Sequence, residues 1–214
     1  MTEKSATGAV RVYHWGVPTP PPNETRERIL AAATALLRKH GPAKVTVLDV
    51  AARAGMSHPN VYRHFKSKSA LQEAVTEIWL NAIFIPLEKI ASSSTPADRR
   101  LEKWMTTLSL LLSRLYTDDP ELFLMYRLLA KGNTLVIQRY QAALREQLIG
   151  ILQDSVANKI YRIRRVPSAA TALWDAMHCF VNADRVMKFA GDPRTADVRR
   201  LFRLLDAGLK AGIL

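Results

Sequence analysis

The chain has 214 residues, 48% apolar and 23% charged, with a formal net charge of +12, so it is neither a disordered polyelectrolyte nor too short to bury a sizeable core. Its single cysteine, Cys179, excludes an intramolecular disulfide and suits a reducing compartment. No apolar run reaches membrane-spanning length and the first residues lack a signal-peptide core, so the expectation is a cytoplasmic protein with no membrane partner.

Residues 1–23 read as a flexible arm. Pro18, Pro20, Pro21 and Pro22 forbid a helix there, and Tyr13 and Trp15 are its only sizeable apolar anchors. Lys4, Arg11 and His14 leave open whether the arm follows a polyanion. The first helix starts near Asn23 or Glu24, carries Ile29, Leu30, Ala33, Leu36 and Leu37 at helical spacing, and stops at Gly41-Pro42. Thr46 caps a short helix through Ala54, and Gly55 supplies a left-handed turn. Ser57 caps another through about His64, with Pro59 in the first turn, where a missing N–H costs little.

A longer helix begins at Ser67, with Leu71, Ala74, Val75, Ile78, Trp79 and Ala82 on one stripe and a kink or end at Pro86. Ser92–Pro96 is a loop. Helices follow near 97–116, 120–130, 134–156, 168–190 and 195–211, broken at Asp119-Pro120, Lys131-Gly132, Pro167 and Gly191-Asp192-Pro193. Cys179 falls in an apolar helical stretch, where a buried small hydrophobe is expected. No alternating pattern is long enough for a sheet. The expected fold is all-α with about nine helices: an arm (1–23), a three-helix unit (24–70) and a larger helical region (71–214).

The positive charge is unevenly spread. Residues 24–72 hold nine basic side chains against three acidic, a net +6, which favours a polyanionic partner. Within that segment, residues 46–68 read as two short crossing helices. Ala51 is small at the contact, Gly55 turns the chain and Val61 anchors the second helix, with Val50, Ala54, Met56 and Phe65 completing a small core. What remains outward on the second helix is His58, Pro59, Asn60, Tyr62, Arg63 and His64, a hydrogen-bonding surface of a size that enters a DNA major groove.

From about Arg26 to Val75 the sequence resembles the TetR family of transcriptional repressors, above all in Val50-Ala51, Ala54-Gly55-Met56-Ser57, Val61-Tyr62, His64-Phe65 and Lys68. The resemblance implies a ligand-responsive, sequence-specific DNA-binding regulator, a repressor released from a palindromic operator by a small, mainly apolar ligand. It gives Thr46, Tyr62 and Lys68 phosphate contacts on double-stranded DNA. Ser57, His58, Asn60 and His64 become candidates for base edges, Pro59 for a thymine methyl, and Arg63 for either role. Pro59 and Asn60 stand where many members carry other small residues, so operator preference does not transfer.

One short recognition helix offers few base contacts, which calls for a homodimer reading two half-sites about 34 Å apart. The last two helices are the candidate interface, through Leu173, Ala176, Met177, Phe180 and Val181 on one and Val198, Leu201, Phe202, Leu205 and Leu209 on the other; the alternative is that both stripes pack within the subunit. By the same resemblance, the middle helices surround a site for a small, mainly apolar effector. Its candidates are Trp104, Met105, Leu108, Phe123, Tyr126, Tyr140, Trp174, Met177 and His178, each of which also suits plain core packing. No cofactor or metal is expected: the five histidines are scattered, and no phosphate-binding or nucleophile motif occurs. The alternative functions are an architectural DNA-binding protein without an inducer, marked by a core with no cavity, and an enzyme using the apolar cavity, which no catalytic constellation supports. The basic segment Lys159, Arg162, Arg164 and Arg165 fits a solvated loop or a second anion patch.

Overall fold

A computed structural model describes residues 24–189 and 191–213; the arm 1–23, with Lys4, Arg11, Tyr13, His14 and Trp15, lies outside the described residues. The described residues form α1 (Glu24–Lys44), α2 (Val47–Arg53), α3 (His58–His64), α4 (Lys68–Ala91) and α5 (Ala97–Asp118). They continue with α6 (Pro120–Lys131), α7 (Leu135–Ala157), α8 (Val166–Val181), α9 (Ala183–Lys188) and α10 (Thr195–Ala211). The fold is all-α, and among the described residues no helix is long and apolar enough to cross a membrane.

Local chemistry sets the N-terminal boundaries. Glu24 and Glu27 lie in the first turn of α1, where carboxylates oppose the positive helix end. The helical path breaks at Gly41, whose φ of 76° and ψ of 165° suit a residue without Cβ. Thr46 caps α2 in a reciprocal box with Asp49, and Gly55 (φ 65°) turns the chain toward α3. Ser67 caps α4, its hydroxyl accepting from the Ala70 N–H at 3.0 Å.

At Pro86, where the sequence allowed a kink or an end, the helix does not end, and one expected helix is divided. α4 neither ends nor divides at Pro86 but runs on to Ala91. The proline removes one backbone hydrogen bond, while Ile83, Phe84 and Leu87 are buried on either side and hold both turns in the core. The stretch expected as a single helix over 168–190 is α8 and α9. Asn182 between them is extended (φ −69°, ψ 130°), and its side-chain oxygen accepts from the Asp184 and Arg185 N–H groups at 3.0 and 3.3 Å. An asparagine that caps a new helix thus outcompetes continuation of the old one, and the described residues hold ten helices rather than about nine.

A single apolar core runs from Ile29 in α1 to Leu209 in α10. α1 packs on α6, α4 and α2; α4 packs on α5 and α7; α10 closes against α5. α4 crosses the division expected at 70–71, burying Leu71 and Val75 near its start and Leu80, Ile83 and Leu87 farther on. Each fully buried Leu or Ile contributes about 1.5–3 kcal/mol relative to exposure.

The core also corrects the reading of α8 and α10. Leu173, Met177, Phe180 and Val181 are buried within the chain, as are Val198, Phe202 and Leu209, while Leu201 and Leu205 are half-buried. The buried members of both stripes pack within the subunit, and Ala176 of α8 is half-buried like Leu201 and Leu205 of α10. Cys179 is exposed rather than buried, because the inward stripe of α8 leaves it on the opposite side with Asp175.

Candidate functional site

α3 sits on the chain through one side chain. Val61 is fully buried against a seat that includes Val50, Ala51, Ala54 and Phe65. The seat is tied to α1 twice: Arg28 donates to the Ala54 carbonyl at 2.9 Å, and the Arg26 guanidinium lies 5.1 Å above the Phe65 ring. With the apolar anchor inward, Ser57, His58, Pro59, Tyr62 and Arg63 are exposed, and Asn60 and His64 are half-buried at the edge. The Ser57 hydroxyl makes no cap hydrogen bond. His58 stands edge-on to Tyr62, ring centroids 4.9 Å apart at 88°, so neighbouring turns of α3 carry a coupled pair.

Thr46 and Lys68 come together from the starts of α2 and α4, lining one small crevice. The donors of Thr46 are engaged. Its hydroxyl and its N–H reach the Asp49 carboxylate at 2.7 and 2.8 Å, and the hydroxyl oxygen accepts from the Asp49 N–H at 3.2 Å. These bonds, first the hydroxyl's and then the backbone's, hold the Asp49 carboxyl below its usual value of 3.8, with smaller help from His40 and Lys68. Asp49 was legible as the fourth residue of a capping box but was not singled out in the sequence. Exposed Leu48, 63% accessible, stands beside it.

The second feature is a cavity of about 250 Å³ in the helical body. Its deep wall is Leu108, Leu112, Tyr126, Tyr140 and Leu144, all buried. Trp174 and Ala130 are half-buried, and the outer lining is polar: Arg127, Lys131, Gln141, His178, Asn182 and Asp184. Burial pushes the Tyr126 phenol up to about 12 and also raises Tyr140 well above its ordinary value, so both remain neutral at physiological pH. Of the sequence candidates, Leu108, Tyr126, Tyr140, Trp174 and His178 line this cavity. Trp104, Met105, Phe123 and Met177 do not; they are buried in the core, with the Trp104 indole donating to Gln147 at 2.8 Å.

One short helix joins the two features. Tyr126, Arg127, Ala130 and Lys131 of α6 line the cavity, while Asp119, at the start of α6, forms a two-pronged ion pair with Arg38 of α1. The Trp79 indole of α4 donates to the same carboxylate at 3.3 Å, and its ring packs on Phe123 and Tyr126. Trp79 was visible in the apolar stripe of α4. Arg38 and Asp119 are 81 positions apart, and no local pattern pairs them. The Arg127–Asp184 pair across the cavity rim was equally silent.

An exposed polar helix on a buried anchor, joined to a larger helical body, defines an all-α helix-turn-helix protein. The family described as "Bacterial regulatory proteins, tetR family" matches residues 29–75, and that described as "Tetracyclin repressor-like, C-terminal domain" matches residues 97–201. The chain belongs to the TetR family. It is 39% identical over 75 residues to the HTH-type transcriptional repressor Rv3405c of Mycobacterium tuberculosis, a match spanning 35% of this chain and 38% of that protein. Its fold is similar to that of FadR from Bacillus subtilis in complex with stearoyl-CoA, with a TM-score of 0.61 at 19% identity over 85% of this chain and 98% of the other. It is also similar to SmeT in a complex with triclosan, with a TM-score of 0.61 at 23% identity over 90% and 95%.

Proposed function

We propose that this protein is a dimeric, sequence-specific DNA-binding transcriptional regulator whose hold on its operator is released by a small effector. The observation that carries the reading is the division of α3: Val61 buried, and Ser57, His58, Pro59, Tyr62 and Arg63 outward, on a segment of net charge +6. Basic side chains bring α3 to a duplex by releasing counterions, and the exposed face reads base edges. Tyr62 and Lys68 act on phosphates; Ser57, His58, Asn60 and His64 act at base edges, Pro59 on a thymine methyl, and Arg63 in either role. Thr46 contributes mainly as the cap that orients α2, because Asp49 already holds its donors.

A regulator needs two half-sites, and the accessible sides of α8 and α10 supply the dimer contact: half-buried Ala172 and Ala176 with exposed Cys179 on one, and exposed Leu204, Ala207 and Ala211 on the other. Leu204 is 73% exposed in the single chain. The functional division places DNA reading in residues 24–70 and effector binding and dimerisation in 71–214.

Effector binding acts through α6, about 18 Å long, which carries the cavity wall at one end and the Arg38 contact at the other. A ligand that prefers one position of α6 by about 1–3 kcal/mol changes operator affinity roughly 5–150-fold. FadR bound to stearoyl-CoA and SmeT bound to triclosan support an effector for this chain too. The cavity weighs against a purely architectural DNA-binding role.

Selection of bound fragments from the host genome, followed by footprinting, tests the reading. A protected palindrome is the expected result, and sequence-independent coverage would overturn it.

A further inference from the structure

The cavity changes character from its depth to its mouth. Leu108, Leu112 and Leu144 close the deep end, Tyr126 and Tyr140 give it flat walls, and the formal charges all sit on the accessible outer lining. Resting on the reading of this cavity as the effector site, we propose that it takes a small aromatic carboxylate, the ring inward between the tyrosines and the carboxylate at the rim on Lys131 and Arg127.

Size, shape and charge carry the assignment independently. About 250 Å³ falls just under the ~300–1,000 Å³ of sites for drug-sized molecules, which suits a single-ring ligand. Tyr126, Tyr140 and Trp174 offer ring faces and edges to a flat body. At the mouth, Arg127 and Lys131 stand one turn apart on α6 and face one spot. Among the described residues Lys131 has no carboxylate partner. Arg127 has one, Asp184 of α9, but the two side chains are 34% and 60% accessible, so a ligand carboxylate can exchange for it in an aqueous rim. The three formal charges of the lining sum to +1, which selects an anion over a neutral amide and repels an amine. Taking Arg127 from Asp184 also releases the tie between α6 and α9.

The test uses the full chain, with no DNA present, and three single-ring probes: benzoate, its isostere benzamide, and the cationic benzylamine. Binding is read by calorimetry and by the rise in Tm. Benzoate is expected to bind roughly tenfold tighter than benzamide, because it meets charged donors, and the gap should narrow as salt is raised. Lys131→Met should remove most of the gap while leaving the Tm of the free protein unchanged, Lys131 being exposed. Lys159→Met, beyond the far end of α7, should bind all three probes as the parent does. Equal binding of benzoate and benzamide, no response to any probe, or a Lys131→Met protein that still prefers benzoate would each overturn the assignment. Those failures leave the regulator reading standing, since it is judged separately by the genomic selection.

Discussion

Arg38 and Asp119 join the helix that buttresses the helix-turn-helix unit to the helix that walls the cavity. Asp119 takes both a guanidinium Nε–H and an Nη2–H, the latter at 2.9 Å, and is 15% accessible against 53% for Arg38. Hydrogen bonding to the carboxylate raises the Arg38 pKa above its ordinary value. The pair is bidentate, half-shielded and shared with the Trp79 indole, so a double-mutant cycle with Arg38→Met and Asp119→Ala should give a coupling near ~1 kcal/mol, the upper end for accessible pairs. Urea denaturation of the four proteins measures it, and additive effects would remove the pair from the linkage.

Lys68→Met is expected to weaken DNA binding on every sequence and to lower the salt slope by about one unit. Tyr62→Phe should weaken binding uniformly with no change in slope, since the hydroxyl is neutral. His58→Ala should instead redistribute preference at a base position by ~1–3 kcal/mol. Because His58 packs edge-on to Tyr62, the effects of the two changes should not add. Titrations of operator variants at several salt concentrations separate these behaviours.

Asp49 is hydrogen-bonded to Thr46, which lines the crevice shared with Lys68 where a phosphate would come. Its folded-state pKa lies below 3.8, so the stability it adds is complete above that value and is lost as pH falls through the lower folded one. Asp49→Asn should therefore flatten the acid limb of a Tm-versus-pH curve below about pH 4. The same change removes a negative charge near the DNA backbone and should raise affinity roughly threefold at low salt, an advantage screened away at high salt. A drop in affinity would instead mean that the carboxylate is needed to hold Thr46 and α2.

Of the described glycines with positive φ, Gly55 and Gly41 sit in different surroundings. At Gly55 an added Cβ meets only the Arg28 guanidinium in ordinary contact at 3.8 Å, so Gly55→Ala should cost ~1–2 kcal/mol from the backbone alone. At Gly41 the same atom runs into the Glu121 carboxylate, and the backbone is in a region few side chains tolerate, so ~1–3 kcal/mol is expected. Gly41→Ala combined with Glu121→Ala should recover the steric part and leave the backbone part. Chemical denaturation of the three proteins resolves the two contributions.

On the proposed dimer contact, the parent should sediment as a dimer at micromolar concentration and Leu204→Glu as a monomer, with helicity retained because the residue makes little of the subunit's own core. An unchanged sedimentation coefficient would move the dimer contact away from α10.

The parts of this molecule legible in its sequence are those encoded by near neighbours. Ala51, Gly55 and Val61 define the crossing of two short helices through spacing alone, and the breaks at Gly41 and Gly191 follow from the residue type that takes a positive φ at least cost. Asn182 divides a helix by a side-chain bond that competes with continuation, which an apolar stripe does not register. The stripes of α8 and α10 were plain as stripes, but a periodic pattern states only that a face is buried and not against which molecule. Arg38 with Asp119 and Arg127 with Asp184 are long-range pairs made by the packing of α1 and α9 on α6. They became visible only once the chain was folded.

The position of α6 has a consequence for redesign. Tyr126 and Arg127 sit about two turns from Asp119 on one stiff rod, so under the proposed effector mechanism altering them to suit a new chemical would also disturb the leakiness of the switch. Tyr140, Gln141 and Leu144 of α7, with Trp174 of α8, line the same cavity without touching that rod's far end. A biosensor library confined to those positions should change what is detected while the baseline and the dynamic range stay those of the parent.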